Sequence, residues 1–161
     1  MGAGGARTVR WLDACALLLL TLWAGSLWTA GYLVAPTLFS SLTRMVAGEV
    51  AGRIFELVAW VGMAALPLLL IRARFIRPSQ SGWVTACLAL AFAVLLAGHF
   101  GVLPQMQALK AALAAGQLGE TEFRAAFGRM HGISSVLYLL QALLAAAVVI
   151  GWRRNPVGPG N

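Results

Sequence analysis

The sequence predicts an all-α polytopic membrane protein: an antiparallel four-helix transmembrane bundle with an extramembrane helical hairpin between the third and fourth spans. Composition and the length of the apolar runs lead to this fold class. Hydrophobic residues make up 60% of the 161 residues and charged residues only 11%, and the mean hydropathy is +0.82. A soluble domain is about half apolar and about a quarter charged, so this chain lacks the polar surface that water requires.

Four apolar runs supply the predicted spans. Crossing the ~30 Å hydrocarbon core takes about 20 helical residues, and a helix satisfies its own backbone groups in lipid. The runs cover residues 12–34, 54–71, 83–103 and 132–152. We therefore predict a single four-span membrane domain over residues 1–152 and a disordered cytoplasmic tail over residues 153–161. The first run is longer than the apolar region of a signal peptide, so it is predicted to be a retained span.

The connection between the third and fourth runs has a helical pattern of its own. Apolar residues recur at helical spacing on both sides of Gly116 and Gly119, and Thr121 is a favourable N-cap residue. We therefore expect both helices to continue past the bilayer and to meet in a hairpin near residues 115–121.

Small residues at four-residue spacing predict where the spans pack. Helices associate in lipid by close contact, which small side chains permit. The third run contains Thr85, Ala89, Ala93, Ala97 and Gly101. We expect this ladder to face the other spans of the bundle, and the sequence leaves open whether some small-residue faces bind a second copy or another membrane protein.

The basic residues predict the orientation. Seven of the twelve Lys and Arg residues lie at the two termini and in the 72–82 loop, and five lie in the other two connections. Because short cytoplasmic loops are rich in Lys and Arg, both termini are predicted to be cytoplasmic. The net charge of +7 comes from clusters that flank apolar runs, so the predicted partner is the lipid bilayer and not nucleic acid.

Polar and ionisable residues cluster at the predicted outer boundary of the membrane. Such residues are costly in a span and usually face a protein interior or a cavity, so a cluster at one depth is a candidate site. The candidate residues are Tyr32, Arg53, Glu56, His99, His131, Ser134, Ser135 and Tyr138. Arg53 and Glu56 are three residues apart on one helix and are expected to form an ion pair.

The polar residues of the fourth run allow two interpretations. At ~100° per residue, Ser135 and Tyr138 lie close to the direction of His131, so one polar face is expected to point into the protein. The functional interpretation is a small pocket in which His131 carries a proton or binds a metal ion. In the structural interpretation, the same face bonds to neighbouring helices. His99 at the same depth adds the hypothesis of a haem or metal ion held by two imidazoles; no other cofactor is predicted.

Three stretches carry a resemblance to a known family. They read GYLVAPTLFSSL (31–42), AGEVAGRIFELV (47–58) and FGRMHGISSVLYLLQ (127–141). They resemble small bacterial membrane proteins with a domain of unknown function, akin to the eukaryotic transmembrane protein 205. The resemblance implies a four-span integral protein of a bacterial inner membrane and no particular activity. The positions that match the motifs are Pro36, Phe39, Gly48, Gly52, His131, Gly132 and Ser134.

Three classes of function follow from the sequence. The chain contains no P-loop, G-x-S-x-G or H-E-x-x-H pattern and only two histidines and five acidic residues, so no catalytic residues are predicted. The leading hypothesis is a non-enzymatic membrane protein that acts through helix packing or partner contact. The alternatives are a carrier for a small solute or ion that uses the pocket around His131, and a haem- or metal-binding redox protein.

Overall fold

The computed structural model describes residues 3–76 and 81–152, and the regular elements in these ranges are all helical. In chain order they are α1 (Ala3–Thr29), π1 (Ala30–Val34), α2 (Ala35–Ser41), α3 (Arg44–Ile71), π2 (Arg72–Ile76), α4 (Gly82–Leu96), π3 (Ala97–Val102), α5 (Leu103–Ala114) and α6 (Glu120–Gly151). The π1, π2 and π3 segments are short stretches of π-helix. The tail predicted at residues 153–161 lies outside the described residues.

The helical elements join into four long rods, each long and apolar enough to cross a membrane. We name them span 1 (Arg10–Ser41), span 2 (Arg44–Ile76), span 3 (Gly82–Ala114) and span 4 (Glu120–Gly151). The predicted all-α fold with four membrane-spanning helices is thereby confirmed. The rods are longer than the apolar runs for two reasons. In spans 1, 2 and 3 the π segments continue the helix without a break, and in spans 2 and 4 the α-helix begins 10 and 12 residues before the apolar run.

The spans form a closed ring. Span 1 contacts spans 2 and 4, and span 3 contacts spans 2 and 4. The start of span 1 meets the end of span 2 through Asp13 and Arg72, and Trp83 at the start of span 3 lies against Gly151 at the end of span 4. Neighbouring spans are therefore antiparallel. We call the end with Arg72 the Arg72 end and the opposite end the Gly116 end.

The core of the ring consists of large side chains that lie between the spans. Its fully buried members are Trp23, Leu20, Leu66, Leu69, Leu88, Val84 and Val148. Trp23 fits because span 2 has a glycine opposite it. A Cβ atom at Gly62 would lie 3.4 Å from Trp23 Cδ1 and 3.0 Å from Leu95 Cδ2, so the close approach of spans 1, 2 and 3 depends on that glycine.

The small-residue ladder of span 3 does not face the bundle. Ala89, Ala93, Ala97 and Gly101 are exposed, and Thr85 is half-buried. The buried positions of α4 are instead Val84, Leu88, Ala91 and Val94. The expectation that the ladder packs inside the bundle was wrong, because the larger apolar side chains of this helix fill the core.

The chain reverses direction at the Gly116 end between α5 and α6. Gly116 adopts φ +68°, a left-handed conformation that favours glycine. Helix α6 begins at Glu120, and the Glu122 carboxylate accepts the N–H of Gly119 at 3.4 Å. The sequence suggested Thr121 as the N-cap of this helix, but the N-cap is Gly119. That this turn lies outside the membrane stays a prediction.

At the Arg72 end, an ion pair joins spans 1 and 2, and a cation–π contact joins span 2 to the residue that follows span 4. Arg72 Nη2 donates to Asp13 Oδ1 at 2.6 Å, and only 8% of the Arg72 side chain is exposed. Its Cζ lies 4.6 Å from the centre of the Trp152 ring, a cation–π distance. The Arg72 Nε and Nη1 groups are buried without a hydrogen-bond partner among the described residues. The Asp13 carboxylate and the Trp152 ring therefore stabilise the buried charge.

We predict that Asp13→Ala destabilises the bundle by about 3–5 kcal/mol, because removal of one partner leaves an uncompensated buried charge. The double variant Asp13→Ala with Arg72→Met should recover most of this loss. Unfolding in mixed micelles by titration with SDS measures the free energy of unfolding.

Glu49→Ala is the matched control, because it removes the carboxylate of an exposed ion pair with Arg53. Exposed pairs contribute about 0–1 kcal/mol. Equal losses for Asp13→Ala and Glu49→Ala would show that the buried pair does not hold the spans together.

Candidate functional site

Two side chains of span 4 donate hydrogen bonds to backbone carbonyls of other spans. The Tyr138 hydroxyl donates to the carbonyl of Leu27 in span 1. Gln141 Nε2 donates to the carbonyl of Ala91 in span 3 at 2.8 Å. In the opposite direction, Trp28 Nε1 donates to the carbonyl of Ala142 at 3.2 Å. Such bonds between helices contribute about 0.6 kcal/mol each in lipid, and they fix the register of spans 1, 3 and 4.

Tyr138 lies at the most crowded of these contacts. Its ring packs edge-on against Phe55 of span 2, with the ring centres 5.0 Å apart. On the other side is Gly31 in π1, where a Cβ atom would lie 2.9 Å from the Tyr138 hydroxyl oxygen and 3.0 Å from Cζ. Tyr138 therefore contacts spans 1 and 2 at once, and Gly31 provides the space. Gly31 was not among the predicted site residues, although a glycine within an apolar run is a sign of close approach.

His131 and Ser135 lie on the surface of span 4 and not inside the bundle. Ser135 Oγ donates to the carbonyl of His131 on the same helix at 2.8 Å, and Ser134 is half-buried. The His131 ring lies parallel to Phe127, with the centres 6.3 Å apart. The predicted inward polar face is therefore present only at Tyr138 and Gln141. Ser135 lies ~120° around the helix from Gln141, which places it at the margin of the bundle.

His99 and His131 have different neighbours. The His99 ring in π3 lies edge-on to Trp60 of span 2 at 5.3 Å and to Phe100 at 5.0 Å. The described ring contacts do not join the two imidazoles. Among residues 3–76 and 81–152, no group of three or more His, Cys, Asp and Glu side chains is arranged to hold a metal ion.

The remaining candidate residues are exposed at the Gly116 end. Arg53 Nη2 binds Glu49 Oε1 at 2.8 Å, so its partner is Glu49 and not Glu56. The i,i+4 spacing with the acid nearer the N-terminus is the favoured one on a helix. Glu56 and Tyr32 are also exposed. The structure thus spreads the candidate residues over a surface and does not close them into one pocket.

The motif positions lie mostly on the same surface. Pro36 stands in the first turn of α2, and it and Phe39 are exposed. A Cβ atom at Gly48, Gly52 or Gly132 would meet nothing within 4 Å. These three glycines therefore leave bare helix backbone at the surface.

Comparison with known proteins gives one family. The family model for a domain of unknown function (DUF4149) matches residues 18–115. The chain belongs to this family. No curated protein and no solved structure matches it. The match confirms the prediction of a family with a domain of unknown function. It does not show a resemblance to the eukaryotic transmembrane protein 205.

The DUF4149 match covers part of the candidate surface. It includes the motif residues of spans 1 and 2, from Pro36 to Gly52, and also His99. It ends at residue 115, so His131, Tyr138 and Gln141 lie beyond it. The side chains that bond span 4 to the rest of the bundle are therefore outside the matched segment.

We predict that Gly31→Ala destabilises the protein by about 1–3 kcal/mol, because the new methyl group would overlap the Tyr138 ring. Gly25→Ala on the same span is the matched control, since a Cβ atom there meets nothing within 4 Å. An alanine favours the helix over glycine by up to about 1 kcal/mol, so the control should be neutral or more stable. SDS titration measures both, and equal stability of the two variants would contradict the crowded contact.

Proposed function

We propose that this protein is a non-enzymatic integral membrane protein that acts by binding another membrane protein at its Gly116 end. One observation carries the proposal. The segment that connects spans 1 and 2 exposes large apolar side chains beside an arginine. Its exposed apolar residues are Phe39, Leu42, Met45 and Val46, and Arg44 is exposed among them. We call this segment, residues 39–46, the tip.

The composition of the tip supports a protein partner. Aromatic residues, Met and Arg are enriched in protein–protein interfaces, and contiguous exposed apolar surface marks interaction sites. Met45 is 84% exposed, and the ion pairs found among the described residues are those of Arg53, Arg72 and Arg124 and do not include Arg44. The partner that fits offers an apolar cleft for Met45 and a carboxylate for Arg44.

The inward polar side chains bind neighbouring helices of the protein, which favours a role in binding a partner over a role in catalysis. Tyr138 and Gln141 donate to neighbouring helices, as described above, so these donors hold the bundle together. The charged residues of the Gly116 end lie on the surface. Four of the five acidic residues of the chain lie there, namely Glu49, Glu56, Glu120 and Glu122.

We further propose that the Arg72 end faces the cytoplasm of a bacterium, with both termini on that side of the inner membrane. Arg7, Arg10, Arg72 and Arg74 lie at this end, and Arg77, Arg153 and Arg154 follow outside the described residues. An excess of Arg near the ends of short connections favours the cytoplasmic side. The tip then faces the periplasm.

A carrier for a small solute or ion is the second candidate function. One observation favours the carrier. The acceptor atom Gln141 Oε1 is buried inside the bundle and receives no hydrogen bond from the described residues. An unsatisfied acceptor at this depth could bind a passing polar solute or a proton donor. The haem hypothesis gains no comparable support, because His99 and His131 contact different aromatic rings.

We predict that a photo-crosslinking amino acid at Met45 forms one discrete adduct with a protein in cells, and that Arg44→Glu abolishes this adduct. Loss of the positive charge should remove the pairing with a carboxylate on the partner. Gel mobility and mass spectrometry of the adduct give the readout.

Leu18 is the matched control for crosslinking, since it is 69% exposed within the apolar run of span 1, where lipid is expected. If Met45 forms no protein adduct, or forms the same adducts as Leu18, the proposal fails.

The carrier hypothesis is tested by flux in proteoliposomes. Under our proposal, the protein conducts protons and small cations no faster than protein-free vesicles. Flux above that background, reduced about tenfold or more by Gln141→Leu, by His131→Ala or by Glu56→Gln, would establish the carrier instead. Tenfold corresponds to about 1.4 kcal/mol in the barrier.

A further inference from the structure

A groove runs along the exposed side of span 4 near the Gly116 end. The groove is shallow and open, and its lining residues are Gly128, Arg129, Gly132, Ile133, Val136 and Leu137. We call the two glycine positions, which have no side chain, its floor and the three apolar side chains its walls. From Arg129 to Leu137 the groove extends about 12 Å along the helix, at 1.5 Å per residue.

The floor of the groove is bare backbone. A Cβ atom at Gly128 or at Gly132 would meet nothing within 4 Å, so other parts of the described chain do not fill this space. Ile133 and Val136 are exposed. Leu137 lies near span 3, where its Cδ1 would be 3.9 Å from a Cβ atom at Gly98. The walls are therefore apolar, and one of them is supported by a second helix.

Arg129 carries a charge that the protein does not neutralise. Arg53, Arg72 and Arg124 each bind a carboxylate. The positions three and four residues from Arg129 are Ala125, Ala126, Gly132 and Ile133, so its own helix offers no acid. No ion pair involves Arg129 within the part of the chain that the structure describes.

The position of Arg129 matches the boundary of the membrane. Between Gly132 and Gly151 the helix contains no charged residue, while Glu120, Glu122 and Arg124 precede Arg129. An arginine at the start of an apolar helix surface lies at the depth of lipid phosphates. The apolar part of the groove then lies at the depth of the acyl chains.

We propose that this groove binds a phospholipid, with the phosphate at the Arg129 guanidinium and one acyl chain over Gly132, Ile133 and Val136. Guanidinium groups bind phosphate oxygens in a bidentate manner, and the apolar walls match a hydrocarbon chain. A second copy of this chain fits less well. A two-fold contact through the glycines would bring two Arg129 side chains close together, and like charges oppose such a contact.

This lipid site is separate from the tip and does not depend on the proposed partner. The tip lies between spans 1 and 2, whereas the groove belongs to span 4. Failure of either proposal leaves the other unaffected.

Native mass spectrometry of the full chain in detergent, with added phosphatidylglycerol, tests the proposal. We expect a bound lipid on the native protein. The apparent affinity should fall about fivefold in Arg129→Gln, since one basic residue contributes about 1 kcal/mol at a lipid surface. Gly132→Leu should abolish this binding because the side chain fills the floor.

Gly101→Leu is the matched control, because Gly101 is also an exposed glycine with no atom within 4 Å of its Cβ position. This variant should bind lipid as the native protein does. Helix content by circular dichroism should be the same in the three variants and the native protein, because each substitution is at an exposed position.

Competition with inorganic phosphate shows whether the groove binds a phospholipid or only a free phosphate ion. Millimolar inorganic phosphate should leave the lipid bound if the acyl chain contributes to affinity. Full displacement by inorganic phosphate would overturn the groove part of the proposal. Unchanged lipid binding in Gly132→Leu would also overturn it, as would a dimer that Gly132→Leu converts to monomer.

Discussion

The exclusion of water from a bilayer is the constraint on which the rest of this structure depends. A polar group that points into the bundle loses free energy unless it binds another group of the protein, because lipid offers no donor or acceptor. Three buried atoms, Arg72 Nε, Arg72 Nη1 and Gln141 Oε1, have no hydrogen-bond partner among the described residues. Arg72 Nη2 binds Asp13 and its guanidinium lies over the Trp152 ring, and Tyr138 binds a carbonyl of span 1. These few contacts determine which spans are neighbours, since apolar side chains gain little by choosing one helix over lipid.

The two ends of the bundle differ because this constraint acts on them differently. At the Arg72 end, a charge is buried and three spans converge on it. At the Gly116 end, ionisable residues pair along their own helices, as Arg53 does with Glu49 and Arg124 with Glu120. Those pairs are exposed and leave the helices independent of one another. The Arg72 pair and the hydrogen bonds of Tyr138 and Gln141 therefore join the spans, while the Gly116 end offers the surfaces to which we assign contacts with a partner and with lipid.

The fold was predictable from sequence because the thickness of a bilayer sets the length of an apolar run. Which side of each helix points into the bundle was not predictable in the same way. In lipid both sides of a helix are apolar, so the ladder of Ala89, Ala93 and Ala97 looked like a packing face although it is exposed. The pair of Asp13 with Arg72 joins residues 59 positions apart, and it depends on the order of the spans in the ring. Local spacing predicted an inward polar face on span 4, and only Tyr138 and Gln141 point inward.

The rods are longer than a bilayer is thick. Each span contains 32 or 33 residues, or about 48–50 Å of helix, whereas the hydrocarbon core is ~30 Å thick. In span 4 the 20 residues from Gly132 to Gly151 carry no charge and match that core, so we expect the other 12 residues, 120–131, to project past it. About 18 Å of this rod then stands beyond the hydrocarbon, which is more than the depth of the headgroup layer. The Gly116 end can therefore touch the water-exposed part of a partner.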